Sequence, residues 1–182
     1  MAADEAERAL VARARAGDRD AYERLLGPAV RPATRLAFAM LHDPSEAEDA
    51  FQEAALRAWR RMKNLRPDSP FQPWFMGIVA NQCRDVRRGR WWRIIRVPDT
   101  PAAAASLDNT AVWLEGDDLR RAVDSLPHDQ RVAVLLHFHL DLPLSEVGAI
   151  LGISEAGAKT RVHRALRRLR PALRAGEVSA NG

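Results

Sequence analysis

Residues 144–170 read LSEVGAILGISEAGAKTRVHRALRRLR. Val147, Ile150 and Leu151 recur at helical spacing, Gly152 interrupts, and Ala158, Val162, Ala165, Leu166 and Leu169 resume the spacing after Ser154. The pattern predicts a helix, a tight turn and a second helix. Gly152 accepts the positive φ that ends the first, and Ser154 can cap the free amides that open the second. Opposite the apolar stripe stand Lys159, Thr160, Arg161, His163, Arg164, Arg167, Arg168 and Arg170, and residues 159–174 hold seven Lys or Arg with no Asp or Glu. A basic helical face alone is often only solvated. The missing acids and the glycine turn point instead to a helix that enters the DNA major groove, its early residues near base edges and its later arginines near phosphates.

The rest of the chain must carry that motif. Its 182 residues, 47% of them hydrophobic, suffice for one domain or two small ones. The net charge is only +4, so the placement of the charge matters more than its total. Residues 1–92 hold 16 basic and 13 acidic side chains, 93–118 hold 2 and 5, and 119–182 hold 10 and 6. Cys83 is the single cysteine, which rules out an intrachain disulfide and suits a reducing compartment. The N-terminus lacks the apolar core of a signal peptide, and no apolar run approaches a membrane span, so a cytoplasmic location is expected, without membrane insertion.

From the N-terminus, Ala9, Leu10 and Ala14 mark one side of a first helix that Gly17 stops, and Asp18 can cap a second helix through Tyr22, Leu25 and Leu26. Pro28 then allows a third helix, built on Val30, Ala33, Leu36, Ala37, Met40 and Leu41. Ser45 opens a fourth, whose strip is Ala47, Ala50, Phe51, Ala54, Ala58 and Trp59 and whose outer face runs from acidic to basic, as the helix dipole favours. A fifth begins at Phe71: FQPWFMGIVANQCRDVRRGRWW. Its first half is apolar; residues 84–96 then hold six arginines against Asp85, with Trp91 and Trp92 among them. Aromatics interleaved with arginine suit single-stranded nucleic acid, rings stacking on bases while guanidinium groups follow the backbone, although Trp74 and Phe75 suit a core equally well. Residues 97–118 lose periodicity and read as a linker; residues 119–126 and 128–140 read as helices leading into the terminal motif. No segment alternates as a strand would. The expected fold is all-α: two small helical domains, 1–92 and 119–174, joined by a flexible linker at 93–118, with a tail at 175–182.

Five runs in this order resemble the extracytoplasmic-function (ECF) subfamily of the sigma-70 family of bacterial RNA polymerase sigma factors: LVARARAGDRDAYERLL, SEAEDAFQEAALRAWR, FQPWFMGIVANQCRDVRR, SLPHDQRVAVLLH and the stretch at 144–170. The resemblance covers nearly all of residues 5–174. It implies that residues 49–62, beginning at Asp49 and ending at Met62, dock on the beta-prime clamp of core RNA polymerase, with Asp49, Gln52 and Glu53 as contacts. The aromatic and arginine helix would open and read the minus-ten promoter element, with Trp74 in it, Asn81 near a pocket for a flipped base, and Arg84, Arg87 and Arg88 on the adjacent backbone. The helix-turn-helix, residues 145–164, beginning at Ser145 and ending at Arg164, would read the minus-thirty-five element. Its contacts, continuing just past that range, would be Ser154, Glu155, Lys159, Thr160, Arg161, His163, Arg164 and Arg167. Promoter DNA, the polymerase clamp and beta flap, and an anti-sigma factor are the implied partners. One departure stands out: Gly157-Ala158 occupies the place where the family usually has Thr-Val.

Other chemistry is disfavoured. His137 and His139 are two apart and point to different faces of a helix, which argues against a metal pair. Asp43, Glu46, Glu48 and Asp49 form an acidic strip without histidine or a phosphate-binding glycine loop. Cys83 lies at helical spacing from Val79 and Val86 and reads as core. No catalytic group, metal or cofactor is expected. The rival reading is a polymerase-independent helix-turn-helix regulator with an N-terminal sensing or dimerisation domain.

Overall fold

The structure, a computed structural model, describes residues 2–96 and 117–180, with side chains at 5–90 and 118–173. All described regular structure is helical, and the chain divides into two compact units, Met1–Ala105 and Ser106–Gly182. The expected linker lies mostly outside the described residues. Its flanks are helical, because the helix before it runs to Arg96 and the next begins at Asp117; the expected tail is likewise helical as far as Ala180.

Unit 1 comprises α1 (Ala2–Arg15), α2 (Arg19–Leu41), α3 (Pro44–Arg60), a short 3-10 turn (Met62–Asn64) and α4 (Phe71–Arg96). Ala29, Ala33 and Ala37 on α2 and Ala47, Ala50, Ala54 and Ala58 on α3 are buried at i+3 and i+4 intervals. Small residues at these positions let the helix backbones approach, and the larger Leu36, Met40, Phe75, Met76 and Val79 fill the space between. Aromatic rings close one end: Tyr22 lies 5.1 Å from Trp59 and 5.8 Å from Phe71, while Phe71 stacks on Phe75 at 5.7 Å. The Tyr22 hydroxyl donates to the Ala55 carbonyl at 2.7 Å, and burial pushes its pKa up to about 12.

Three local expectations are corrected. Pro28 does not start a new helix, since α2 continues through Pro28 and Pro32. The residues whose carbonyls thereby lose their donors, Arg24 and Pro28, are exposed, where water can substitute, while the buried stripe runs unbroken from Ala21 to Leu41. α3 starts at Pro44 rather than Ser45, and Asp43 caps it, its carboxylate accepting from the Glu46 amide at 2.9 Å. On α1 the inward residues are Val11 and Ala14, and Ala9 is exposed. Asp18 caps α2 as expected, accepting from the Ala21 amide at 3.1 Å; this bond and the Arg13 guanidinium hold its carboxyl below its ordinary range.

Unit 2 comprises α5 (Asp117–Ser125), α6 (His128–Val134) with a π turn (Leu135–His139), α7 (Leu144–Leu151) and α8 (Glu155–Ala180). The expected helix to Leu140 widens into the π turn: the Leu140 amide reaches back to the Leu135 carbonyl, and Asp141 takes a φ of 55°. His137 donates from Nδ1 to the Leu142 carbonyl at 2.8 Å. Arg131 is the buried charge of this unit, 7% exposed, and its guanidinium donates to the carbonyls of Val123, Asp124 and Leu126 at the end of α5. A cation among the last carbonyls of a helix meets the negative end of its dipole and satisfies acceptors that have no intrahelical donor.

Gly148 explains how α7 and α8 come together. A Cβ there would lie 2.8 Å from the Ile153 carbonyl oxygen and 3.2 Å from the Ser154 backbone, so the turn packs directly on a bare backbone. Gly157 is the opposite case, with side-chain atoms of Ile153 and Ser154 no nearer than 3.4 Å to such a Cβ. Gly148→Ala therefore lowers the stability of unit 2 by about 1–3 kcal/mol, whereas Gly157→Ala raises it by up to about 1 kcal/mol; paired chemical melts check both signs. Arg131→Met leaves three carbonyls without their donor and costs about 3 kcal/mol, read in the same melts. Cys83 is fully buried, its thiol pushed up to about 12 by burial, so a thiol reagent at neutral pH labels native protein far more slowly than denatured protein.

Candidate nucleic-acid and partner interfaces

The terminal motif folds as its spacing predicts, with one shift at its start. Ser145, expected to open the motif, is the second residue of α7 and not its first: Pro143 is held extended at φ −63° and ψ 153°, and the helix begins directly after it at Leu144. The Ser145 side chain is exposed in that first turn, on the supporting helix of the pair. Gly152 ends α7 with φ 66° and ψ 34°, the Ile153 amide donates to the Gly148 carbonyl at 2.9 Å, and Ser154 Oγ accepts from the Gly157 amide at 3.2 Å. Ala158, Val162, Ala165 and Leu169 face the core.

Ser154, at the cap, and Glu155, Lys159, Thr160, His163, Arg164 and Arg167, on α8, are exposed. The Thr160 hydroxyl donates to the Ala156 carbonyl at 2.9 Å and so offers its lone pairs outward. Arg161 differs: it is half-buried and pairs with the Asp129 carboxylate of α6 at 3.2 Å, tying α8 to its support. At the departure from the usual Thr-Val, Ala158 lies in the core and Gly157 at its edge, and the exposed positions are those around them.

In unit 1 the arginine block of α4 separates into two sets. Asn81, Arg84 and Arg88 are exposed at i, i+3 and i+7, and the half-buried Trp74 lies seven residues before Asn81. These four share one face of the helix. Asn81 donates from its amide to the Gly77 carbonyl at 2.9 Å, which leaves the side-chain oxygen as an acceptor. Arg87 and Arg90 turn inward. Arg87 donates to the Met40 carbonyl at 2.9 Å, and Arg90 donates to the Leu41 carbonyl at 3.3 Å and to the Glu46 carboxylate at 2.7 Å. Both secure the corner between α2 and α3, so Arg87 is not grouped with Arg84 and Arg88 as its sequence position suggested. The side chains of Trp91 and Trp92 lie outside the described residues.

The α3 face carries Asp49 and Gln52 exposed and Glu53 half-buried. The exposed face is shorter than the expected span of 49–62, because α3 stops at Arg60 and Met62, in the 3-10 turn, is buried in the core. Gln52 donates to Glu48 at 3.3 Å. Arg57 bridges Glu53 at 3.0 Å and Asp85 of α4 at 3.2 Å, and the hydrogen bond it donates to Glu53 raises the guanidinium pKa. Sequence reasoning missed Leu56, which is 51% exposed at i+7 from Asp49 and i+4 from Gln52. Its absence from the apolar strip of α3 was the available signal. An exposed leucine ringed by Asp49, Gln52 and Glu53 is an apolar anchor with a polar rim, the usual anatomy of a protein interface. Among the described residues no helix is long and apolar enough to cross a membrane, and no cluster of His, Cys, Asp and Glu could hold a metal ion.

Comparison with known proteins agrees with this geometry. Residues 24–93 match the family model for sigma-70 region 2, and residues 116–169 match that for sigma-70 region 4. A probable RNA polymerase sigma factor, RfaY, of Xanthomonas campestris pv. campestris is 31% identical over 160 residues, 84% of this chain and 40% of that protein, so the chain spans less than half of this relative's length. The ECF RNA polymerase sigma factor SigM of Mycobacterium tuberculosis is 32% identical over 155 residues, covering 85% of this chain and 78% of that one. Among solved structures, the sigma factor RpoE in complex with the anti-sigma factor NepR from Bartonella quintana has a similar fold, with a TM-score of 0.64 at 22% identity over 84% of this chain and 96% of that chain. Two helical units that match sigma-70 regions 2 and 4 in order, together with the likeness to SigM, establish that the chain belongs to the ECF family of sigma-70-type RNA polymerase sigma factors.

Proposed function

We propose that this chain binds core RNA polymerase, directs it to a class of promoters and stabilises the opened minus-ten DNA, acting as an initiation factor rather than an enzyme. One observation carries the reading: α4 sets exposed Asn81, Arg84 and Arg88 on one face with half-buried Trp74, and α8 sets exposed Lys159, Thr160, His163, Arg164 and Arg167 outward from its buried stripe, while α3 exposes Leu56 beside Asp49 and Gln52. In unit 1, Leu56 with Asp49, Gln52 and Glu53 docks on the beta-prime clamp. Trp74, Asn81, Arg84 and Arg88 hold separated strands, with Arg87 supporting them from the α2–α3 corner. In unit 2, Ser154, Glu155, Lys159, Thr160, His163 and Arg164 read the minus-thirty-five duplex, and Arg167 contacts phosphate. Arg161 orients the helix through Asp129, α7 with Ser145 crosses the DNA backbone, and the beta flap receives the domain. The functional division follows residues 1–92, 93–118, 119–174 and 175–182. The work is done in the cytoplasm, where polymerase and promoter meet, and an anti-sigma factor of the kind bound to RpoE is the natural antagonist.

The chemistry divides accordingly. Exposed arginines supply salt-dependent attraction to phosphates, the start of α8 discriminates base edges, and a ring with an amide oxygen offsets the few kcal/mol needed to unstack a base. Neither unit needs high affinity alone, because polymerase fixes both against one DNA and raises the effective concentration of the second contact.

Run-off transcription with purified core polymerase tests the whole reading, and absence of promoter-dependent initiation overturns it in favour of a polymerase-independent regulator. Lys159→Ala or Arg164→Ala lowers promoter-specific transcript by about tenfold with polymerase affinity unchanged. Leu56→Ala or Asp49→Ala does the reverse, weakening polymerase binding by about tenfold as read by titration of labelled protein. Arg88→Ala reduces the slope of log affinity against log salt for promoter binding by the holoenzyme by about one.

A further inference from the structure

The first turn of α4 receives its capping acceptor from another helix. Glu7 of α1, 64 residues away in sequence, accepts the Phe71 amide hydrogen on Oε1 at 2.8 Å. Pro70, directly before the helix, has no side-chain acceptor to offer. Farther along α1, Arg15 donates to the Lys63 carbonyl at 3.4 Å, so α1 touches the chain on both sides of the segment that joins the 3-10 turn to α4. Phe71 passes the constraint on: its ring stacks on Phe75 at 5.7 Å, meets Tyr22 edge-on at 5.8 Å and lies 5.9 Å from the ring of Trp74. Val11 and Ala14, buried on α1, hold Glu7 over this end of the bundle. The carboxylate also meets the positive end of the α4 dipole, which strengthens the bond beyond that of a neutral cap.

We propose that Glu7 is a positioning residue for strand capture: by capping α4 across the domain it sets the orientation of Phe71 and, through that ring, of Trp74. The assignment rests on the reading of α4 as the surface that holds opened DNA. It gives α1 a role in promoter opening although none of its residues need touch DNA. The shift expected from losing Glu7 is small in distance, a re-aimed aromatic ring, and is felt where stacking geometry matters.

The experiment uses holoenzyme formed from core polymerase and the full chain, on a promoter carrying 2-aminopurine in the minus-ten element. Open-complex fluorescence and polymerase affinity are measured separately. Glu7→Ala slows opening about fivefold with polymerase affinity within about twofold of the parent. Glu7→Gln retains an acceptor oxygen and stays within about twofold of the parent. Glu7→Asp shortens the reach and falls between them, and it carries the test if the alanine variant does not fold. In a Trp74→Ala background, Glu7→Ala adds less than about twofold, because the ring it positions is gone. Opening at the parental rate in Glu7→Ala or Glu7→Asp, a Gln variant as impaired as Ala, or full additivity with Trp74→Ala overturns the assignment. If Trp74→Ala opens DNA normally, the α4 reading fails and the role of Glu7 falls with it; if Trp74→Ala is impaired and Glu7→Ala is not, only the role of Glu7 falls.

Discussion

A guanidinium that leaves water must find oxygen acceptors, and this constraint sorts the arginines of the chain. Arg131 meets three carbonyls at the end of α5, Arg87 and Arg90 meet the last carbonyls of α2, Arg57 bridges Glu53 and Asp85, and Arg161 meets Asp129. Each of these joins two helices or closes a helix end. Arg84 and Arg88 on α4 and Lys159, Arg164, Arg167, Arg168 and Arg170 on α8 are among the basic residues that stay exposed. On these two helices the cationic surface is therefore narrower than the count of basic residues suggests.

Helix ends follow the same rule. Asp18 and Asp43 cap the helices that follow them, Ser154 caps α8, and Glu7 reaches across the domain to cap α4. The carbonyl ends of α2, α5 and α7 are closed by a left-handed residue, His42 or Gly152, or by an inward arginine. Because the Glu7 cap and the cationic closures connect different helices, the orientations of their outer faces are set together. That coupling lets α3 present a leucine among acids while α4, packed against it, presents arginines.

A sigma factor directs transcription initiation and has to keep much of its surface for partners. Helices with alanine seams suit the task, since most of their large apolar side chains are buried or half-buried and the outer faces stay mostly polar. The departure at Gly157-Ala158 fits this pattern. Ala158 is a seam residue and Gly157 stands at its margin, so the outward surface there is made by the longer side chains that flank them.

The helical class, the terminal helix-turn-helix, its Gly152 stop and Ser154 cap, the Asp18 cap and the burial of Cys83 were legible in the chain alone, because periodicity and capping act within a few residues. The exposed positions of α8 followed from the same spacing. Tertiary structure alone decided which arginines face inward, since the partners of Arg87 and Arg161 lie 47 and 32 residues away in sequence. It also decided that α2 runs through its prolines and that Glu7 rather than a neighbour caps α4. Local patterns say which side of a helix is apolar; only packing determines where the polar ends of long side chains find their oxygens.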